Sequence, residues 1–217
     1  VVFVSQFLHD NLRRAVPRAS GMRAHEVHNF VDEQALQSAS AAVTPAPARR
    51  CVVFLAGRID ASKGIAAFVA LMAARMPAHW LLQVYGDGPQ YAALAARHPA
   101  THVELFGHVD GQRVIEAAAA ASVCVVPSVW EEAFGLVTLE ALRLGKPCYA
   151  LRRGGTPELA RYGAPGQLRL FDDMPALVDG VLAGAEEHVT SAGGESADVR
   201  ARLPELLALY RSAGGSR

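Results

Sequence analysis

The sequence has no long run of apolar residues, no excess of charge of either sign and no paired set of cysteines. Its longest apolar stretches, such as residues 52–57 and 117–121, are far shorter than the roughly 18 to 20 residues of a membrane-spanning helix. The 21 lysines and arginines balance the 21 aspartates and glutamates. This balance removes the attraction on which non-specific binding of nucleic acid or anionic membranes depends, although a local basic cluster could still bind phosphate. We expect no transmembrane segment and no nucleic-acid partner.

The few cysteines indicate reduced thiols rather than disulfides or a metal site. Cys51, Cys124 and Cys148 are odd in number, lie in apolar runs and lack the close spacing of metal ligands. Buried reduced thiols favour a cytoplasmic location. The chain begins at Val1, with no methionine and no signal-peptide pattern, so we expect it to be part of a longer protein.

Short apolar runs alternate with helical patterns along the chain. The runs predict strands at residues 1–5, 25–28, 51–56, 80–85, 102–106, 122–126 and 147–151. Amphipathic spacing predicts helices at residues 6–15, 63–75, 90–97, 111–120, 136–144, 174–183 and 199–212. Continuous apolar strands that alternate with helices predict an α/β fold with a Rossmann-like parallel sheet and helices on both faces.

Residues 35–50 are rich in alanine, serine and proline and show no apolar period. We interpret them as a linker loop that separates a leading piece, residues 1–34, from a main body, residues 51–190. A last helical segment lies within residues 191–217. In an open parallel sheet, ligands bind at the carboxyl ends of the strands, so we expect the functional residues to lie in the loops that follow the strands.

Three of these loops begin with glycine. After the first strand of the main body, Gly57 is followed by Arg58 and Lys63, two cations that could clamp a diphosphate. The alternative is an ordinary helix start with Ser62 as N-cap. The next strand runs into Gly86, which opens a Gly-Asp-Gly-Pro turn.

The loop Gly107-His108-Val109 follows the third strand of the main body. Its backbone could lie against a flat base, whereas His108 is more commonly an exposed loop residue than a catalyst.

The densest pattern lies between residues 126 and 142. A strand ends, two acids follow, and a helix opens near Gly135, so the amides of Phe134, Gly135, Leu136 and Val137 could point at an anion. Glu132 and Glu140 could then accept hydrogen bonds from different hydroxyls of one extended ligand. The alternative is that Glu132 complements the helix dipole and Glu140 is the solvated edge of the helix.

A further glycine pair, Gly154-Gly155, follows the last predicted strand. Thr156 as helix cap and Pro157 in the first turn would explain this loop structurally. The pair still leaves room for a ligand.

Taken in this order, the segments resemble the C-terminal, donor-binding domain of GT-B-fold retaining glycosyltransferases. The family is that of glycosyl transferases group 1 (family 4-like), which includes sucrose-phosphate synthases and many bacterial mannosyl- and glucosyltransferases. The resemblance extends from Val1 to about Ala183. It depends on these motifs: Gly57-Arg58 with Lys63-Gly64, Gly86-Asp87-Gly88-Pro89, Gly107-His108-Val109, Pro127-Ser128, Glu132 and Glu140 around Phe134-Gly135-Leu136, Gly145-Lys146-Pro147, and Gly154-Gly155-Thr156-Pro157-Glu158.

The resemblance implies a UDP- or GDP-linked sugar as co-substrate and no metal or other cofactor. Arg58 and Lys63 would bind the diphosphate together with the amides of residues 134–137. Glu140 would hold the ribose diol, and the backbone of Gly107, His108 and Val109 would face the base, with Gly57 and Gly86 beside the donor. Glu132 would hold the hydroxyls of the sugar, and transfer would retain the anomeric configuration by front-face attack, so Glu132 is not a glycosidase-type nucleophile.

The same resemblance implies an N-terminal domain that binds the acceptor, which could be a glycan, a glycolipid or a small molecule. Residues 1–34 would be the tail of that domain and the crossing segment, with Phe30 where a glycine is usual. The helix in residues 191–217 would pack back toward the N-terminal half. Ala133 stands where proline is common, which leaves the loop less rigid.

We expect residues 1–217 alone to bind donor weakly and to transfer nothing. The complete enzyme would serve glycan or polysaccharide biosynthesis, in the cytoplasm or peripherally at the inner face of the membrane.

Two other functions share this fold. One is a non-catalytic domain that binds sugar nucleotides or acts as a scaffold, and the other is a nucleotide-sugar epimerase. The retained Arg58, Lys63, Glu132 and Glu140 argue against a scaffold, because a drifted site would have lost part of its charged clamp. A dinucleotide dehydrogenase is a weaker alternative still, because no Gly-x-Gly-x-x-Gly motif follows the first strand with an acidic residue about 20 positions further on.

Overall fold

A six-stranded parallel sheet with strand order β5-β4-β3-β6-β7-β8 occupies the middle of the protein. The structure is a computed structural model that describes residues 1–43, 51–98, 102–186 and 193–214. The strands of the large sheet are Val52–Ala56 (β3), Leu81–Tyr85 (β4), Val103–Gly107 (β5), Val123–Val126 (β6), Cys148–Leu151 (β7) and Leu168–Phe171 (β8). Val2–Phe3 (β1) and His25–Glu26 (β2) pair in parallel as a separate two-stranded sheet.

Helices connect most of these strands. They are Gln6–Ala15 (α1), Glu33–Ala42 (α2), Ile65–Ala73 (α3), Tyr91–Arg97 (α4), Gly111–Ala120 (α5), Leu136–Arg143 (α6), Met174–Gly184 (α7) and Val199–Gly214 (α8). Two 3₁₀ helices, Pro17–Gly21 and Thr156–Tyr162, complete the regular structure of the described residues.

Both faces of the large sheet are buried. In β3, Val53 and Leu55 join one apolar cluster, whereas Val52 and Phe54 join the other. Successive strand residues point to opposite faces, so a strand that is apolar throughout must be covered on both sides. Residues of α3 and α7 fill the first cluster, and residues of α2, α5 and α6 fill the second. This confirms the predicted α/β fold with a Rossmann-like parallel sheet.

The prediction of a linker loop at residues 35–50 is wrong over its first half. Residues 35–42 belong to α2, which begins after Asp32, and the Asp32 side chain accepts a hydrogen bond from the Ala35 amide. Leu36 and Ala39 are buried at helical spacing. Alanine can occupy a buried helix position, so the apolar stripe was hidden in a composition typical of loops. Residues 44–50 lie outside the described residues.

The sequence interpretation also missed β8 and misplaced two caps. Leu168–Phe171 pairs with β7 at the edge of the sheet, and its residues are only half-buried, so it lacks the continuous apolar run of a central strand. Helix α3 is preceded by Gly64 rather than capped by Ser62. Gly155, not Thr156, precedes the 3₁₀ helix, and Pro157 lies in its first turn.

The three cysteines are free and buried, as predicted. Burial raises the pKa of the Cys51 thiol to about 11 and that of the Cys124 thiol to about 12. Both thiols are therefore protonated and unreactive near neutral pH. Among the described residues, no helix combines the length and apolar character that crossing a membrane requires.

The carboxyl ends of β3, β4 and β5 are joined by glycine backbone. The amide of Gly86 donates to the carbonyl of Gly107 at 2.8 Å, and the amide of Gly57 donates to the carbonyl of Tyr85 at 3.0 Å. Gly86 has φ +133°, and a Cβ there would lie 1.9 Å from the Gly57 carbonyl oxygen. A side chain at Gly86 would therefore separate two neighbouring loops.

We predict that Gly86→Ala lowers the free energy of unfolding by at least about 2 kcal/mol, because the new Cβ adds backbone strain and a steric clash. Gly111→Ala is the matched control, since Gly111 begins α5 and a Cβ there meets nothing within 4 Å. The control is expected to leave stability unchanged or slightly raised. Urea unfolding of both variants measures the difference, and equal midpoints would contradict the close approach at Gly86.

Candidate functional site

A cleft of about 320 Å³ opens at the carboxyl edge of the sheet. It lies between β3 and β6, where the strand order reverses, which is the usual ligand position in doubly wound sheets. Its lining consists of Asn29, Ala56, Gly57, Lys63, Ile65, Val126, Pro127, Ser128, Glu132, Ala133, Phe134, Gly135, Leu136 and Val137.

The loop between β3 and α3 is shaped by Asp60. One carboxylate oxygen of Asp60 accepts hydrogen bonds from the amide and hydroxyl of Ser62, at 2.9 and 2.6 Å, and from the amide of Lys63 at 3.1 Å. The Ser62 hydroxyl contributes most to a lowered pKa of Asp60. These contacts fix the backbone at Lys63, whose side chain lines the cleft.

The same loop is fastened to the segment that follows β6. The carbonyl of Ser62 accepts hydrogen bonds from the amides of Val129 and Trp130 at 3.0 and 3.1 Å. The Ser128 hydroxyl donates to the same carbonyl at 3.3 Å. The two loops on either side of the cleft are thus held at a defined separation.

We call residues 131–135, between β6 and α6, the acidic loop. It rests on the glycine pair that follows β7. The Gly154 amide donates to the Glu131 carboxylate at 2.5 Å, and the Gly155 amide donates to the Glu132 carbonyl at 2.8 Å. A Cβ at Gly154 would lie 2.1 Å from the Glu132 carbonyl oxygen. The expectation that Gly154 and Gly155 leave room for a ligand is therefore wrong, because the backbone of the acidic loop fills that space.

Lys63 and Glu132 meet across the cleft. The Lys63 Nζ lies 2.5 Å from Glu132 Oε1, and the side chains are 34% and 16% exposed. Each charge is thus partly shielded from water and neutralised by the other. A ligand that carries both an anionic group and hydroxyls could engage the ammonium and the carboxylate together.

Helix α6 points its amino end at the cleft. Gly135 precedes the helix with φ +101° and supplies no side-chain cap, and Leu136 and Val137 form its first turn. First-turn amides have no acceptor within their own helix, and they carry the positive end of the helix dipole. Leu136 and Val137 line the cleft together with Phe134. The predicted anion-binding amides are therefore at the cleft.

Other predicted site residues lie outside the lining of this cleft. Arg58 is 69% exposed and pairs with Asp60 at 3.2 Å, so it does not join Lys63. Gly86 and Gly107 lie on the same sheet edge, at the ends of β4 and β5. His108 is exposed, whereas Val109 packs against the apolar cluster that contains Val52 and Phe54.

Glu140 is not the solvated edge of α6 that the alternative interpretation expected. It is half-buried, and its carboxylate has no hydrogen-bonding partner within the described part of the chain. Desolvation raises its pKa above the ordinary value. A shielded carboxylate without a partner can accept hydrogen bonds from a ligand.

Sequence reasoning missed Asn29, which precedes α2 and lines the cleft. Among the polar cleft residues, Ser128 donates to Ser62 and Lys63 pairs with Glu132. Asn29 has no hydrogen bond to any residue that the structure describes, so its carboxamide is available to a ligand. Its place next to Phe30, in the part of residues 1–34 interpreted as the crossing segment, was the signal that could have identified it.

One group of side chains in the described ranges has the spacing of metal ligands, namely Glu26, His28 and Glu158. Their atoms already have partners. Glu158 accepts the amides of Gln6 and Phe7, and His28 Nδ1 lies 2.7 Å from the hydroxyl of Tyr162. The cluster is explained as a hydrogen-bond network.

Comparison with known proteins gives a consistent picture. Residues 50–186 match the family described as glycosyl transferases group 1. A phosphatidyl-myo-inositol mannosyltransferase of Mycobacterium tuberculosis is 30% identical over 95% of this chain and 59% of its own length. The sucrose-phosphate synthase of Thermosynechococcus elongatus has the same fold, with a TM-score of 0.76 at 24% identity over 100% of this chain and 59% of that one.

Anabaena HepE, solved in complex with UDP-glucose, superposes with a TM-score of 0.70 at 20% identity over 98% of this chain and 63% of that one. The chain therefore spans about three fifths of the mannosyltransferase and of these two solved structures.

The raised pKa of Glu140 leads to a prediction about pH. In the ligand-free folded protein, the ionised Glu140 carboxylate is partly desolvated, which lowers the free energy of unfolding. This loss of stability is fully present above the folded-state pKa and disappears as the pH falls below the ordinary value of 4.5. Glu140→Gln carries no charge to desolvate, so it is expected to melt at a higher temperature than the parent protein at neutral pH. The two melting temperatures should converge as the solution becomes acidic.

The control is Glu205→Gln in α8, where the side chain is 49% exposed and the substitution is expected to change little. A Glu140→Gln difference that stays constant with pH would contradict the assignment of the cost to ionisation.

Proposed function

The chain belongs to the glycosyl transferases group 1 family, and on that premise we propose that its cleft binds the nucleotide-sugar donor of a retaining hexosyltransferase. The observation that carries the proposal is the Lys63–Glu132 pair, held beside the uncapped amino end of α6 at the point where the strand order reverses. This arrangement offers positive charge for a diphosphate and a carboxylate for hydroxyls within one cleft.

Lys63 and the first turn of α6 would bind the diphosphate. When the glycosidic bond breaks, the leaving nucleoside diphosphate gains negative charge. A fixed ammonium and preorganised amides stabilise that charge without a metal ion, so we propose that donor binding and transfer need none. Arg58 would join them only after its exposed side chain leaves Asp60.

Glu132 and Asn29 would contact the sugar. Both line the cleft, and a carboxylate and a carboxamide can together accept from and donate to neighbouring hydroxyls. Glu132 is paired with an ammonium, which weakens it as a nucleophile. This supports the proposal that the acceptor hydroxyl attacks from the face that the diphosphate leaves, so that the anomeric configuration is retained.

The nucleoside would extend along the carboxyl edge of the sheet. Glu140 has the unpaired carboxylate that a ribose diol requires, and Gly107, His108 and Val109 lie at the end of β5, where exposed backbone could face the base. Gly86 follows β4, between β3 and β5, and because it has no side chain it would leave this part of the sheet edge open to the nucleoside. HepE was solved in complex with UDP-glucose, so UDP is the first nucleotide to test and GDP the second.

The acceptor and the remainder of the catalytic apparatus would come from a second domain. The chain covers 59% of the mannosyltransferase relative, which leaves room in that protein for such a domain. We propose that the whole protein transfers a hexose to a glycan, a glycolipid or a small molecule.

The first experiment measures nucleotide binding. UDP, GDP, ADP and their sugar conjugates are titrated by calorimetry into the purified protein and into Lys63→Met, which keeps the aliphatic stem and removes the charge. The parent protein is expected to bind the nucleotides of one base. Lys63→Met is expected to bind them roughly ten- to a hundredfold more weakly, because it loses a charged hydrogen bond.

Lys146→Met is the matched control. Lys146 lies before β7, at the opposite edge of the sheet, where its ammonium donates to the Ala121 carbonyl. The control is expected to bind nucleotide as the parent protein does. Binding that is unaffected by Lys63→Met, or no binding of any nucleotide to the parent protein, would contradict the proposed site.

Metal dependence and stereochemistry give a second test. Transfer from an α-linked sugar nucleotide by the intact protein is expected to continue at an unchanged rate in excess EDTA, because Lys63 and the α6 amides supply the positive charge. Proton NMR of the first product formed is expected to show the α anomer. Loss of transfer on chelation, restored by added magnesium or manganese, would contradict metal-independent catalysis, and a β product would contradict retention.

A further inference from the structure

The amino end of α1 is fastened to the acidic loop, although the two are far apart in sequence. Ser5 caps α1 by accepting the Leu8 amide at 3.3 Å, and its hydroxyl donates to the Ala133 carbonyl at 2.6 Å. Ser5 is fully buried at 0% exposure. One hydroxyl therefore serves as the cap of a helix and as the tether of a loop that lines the cleft.

The carboxylate of Glu158 fixes the same end of α1. Its two oxygens accept the amides of Gln6 and Phe7 at 2.9 and 2.8 Å. Glu158 lies in the 3₁₀ helix that follows Gly154 and Gly155, the glycines on which the acidic loop rests. The helix and the loop are thus anchored to one common support.

Helix α1 is only partly packed against the rest of the protein, with His9 stacked on the ring of Phe3 at a centroid distance of 5.0 Å. None of its residues is buried. The polar contacts at its amino end therefore help to fix its position beside this partial packing, and one of them also reaches Ala133. Alanine at position 133 does not restrict its own backbone, so the external hydrogen bond from Ser5 is what restrains this carbonyl.

Ala133 lies between two residues with direct places in the cleft. Glu132 pairs with Lys63, and Phe134 is 2% exposed and meets the ring of His28 edge-on at a centroid distance of 5.2 Å. A shift of the Ala133 backbone would move both neighbours.

We propose that Ser5 is a positioning residue for the donor, acting through the Ala133 carbonyl to hold Glu132 and Phe134 in the cleft. This proposal rests on the proposed function, since it assumes that the acidic loop binds the donor. A movement of α1 would then shift the acidic loop through the hydrogen bond between Ser5 and Ala133.

The test compares Ser5→Ala with Asp173→Ala. Asp173 caps α7 by accepting the Ala176 amide at 2.8 Å and is not among the cleft-lining residues, so its substitution removes an equivalent cap elsewhere. Both variants are expected to lower the melting temperature. Only Ser5→Ala is expected to weaken donor binding, by roughly three- to tenfold for one lost hydrogen bond, and to raise the KM for donor more than it lowers kcat.

Hydrogen–deuterium exchange gives a readout that needs no ligand. Amides of residues 131–136 are expected to exchange faster in Ser5→Ala than in the parent protein, and at the parent rate in Asp173→Ala. Glu158→Gln, which replaces one of the two acceptor oxygens with a donor, is expected to give an intermediate effect and serves as the second variant if Ser5→Ala fails to fold.

The outcomes separate the two proposals. Unchanged exchange at residues 131–136 in the Ser5 or Glu158 variant overturns the tether, and unchanged donor affinity with faster exchange overturns its role in positioning. Absence of donor binding in the parent protein would instead contradict the proposed function, together with any role of the tether in donor binding, while exchange still decides whether the tether exists.

Discussion

The ion pair between Lys63 and Glu132 joins the two loops that form the cleft, and most of the local structure serves to place it. Asp60 fixes the backbone at Lys63, and the Ser62 carbonyl accepts hydrogen bonds from the opposite loop. The backbone of Gly155 in turn donates to the carbonyl of Glu132. A partly exposed pair of this kind contributes little to stability, because solvent screens the charges and holding two side chains in one geometry costs entropy. Its placement is easier to understand if the charges are kept in position for a ligand that carries both an anion and hydroxyls.

The sheet explains why these groups gather at one edge. Its strands bury side chains on both faces, so polar chemistry is confined to the loops at the strand ends. At the carboxyl edge, the loops after β3 and β6 diverge because the strand order reverses between them, and the amino end of α6 opens into the gap. The cleft is thus a consequence of topology, whereas the polar character of its lining depends on a few side chains such as Glu132 and Asn29.

Much of the fold, and about half of the residues that line the cleft, could be predicted from the sequence for identifiable reasons. Strands β3, β6 and β7 are continuous apolar runs, and β4 and β5 each contain one polar residue, Gln83 and Glu104. Lys63, Glu132 and the α6 amides follow strand ends in a recognisable order. Helix α2 was missed because alanine and serine obscure its buried stripe, and β8 because an edge strand needs no apolar run. Arg58 was expected in the cleft but pairs with Asp60 on the surface. The tether from Ser5 spans 128 positions, a separation at which local patterns carry no information.

The site also extends beyond the Rossmann-like unit. Asn29 lines the cleft from the segment before α2, His28 packs against Phe134, and Ser5 holds the acidic loop from the start of α1. A boundary drawn at residues 35–50 on composition would therefore separate residues that share one site. Since no residue of α1 is fully buried, an element that packs against α1 would, through the proposed tether from Ser5, also act on the acidic loop and on Glu132.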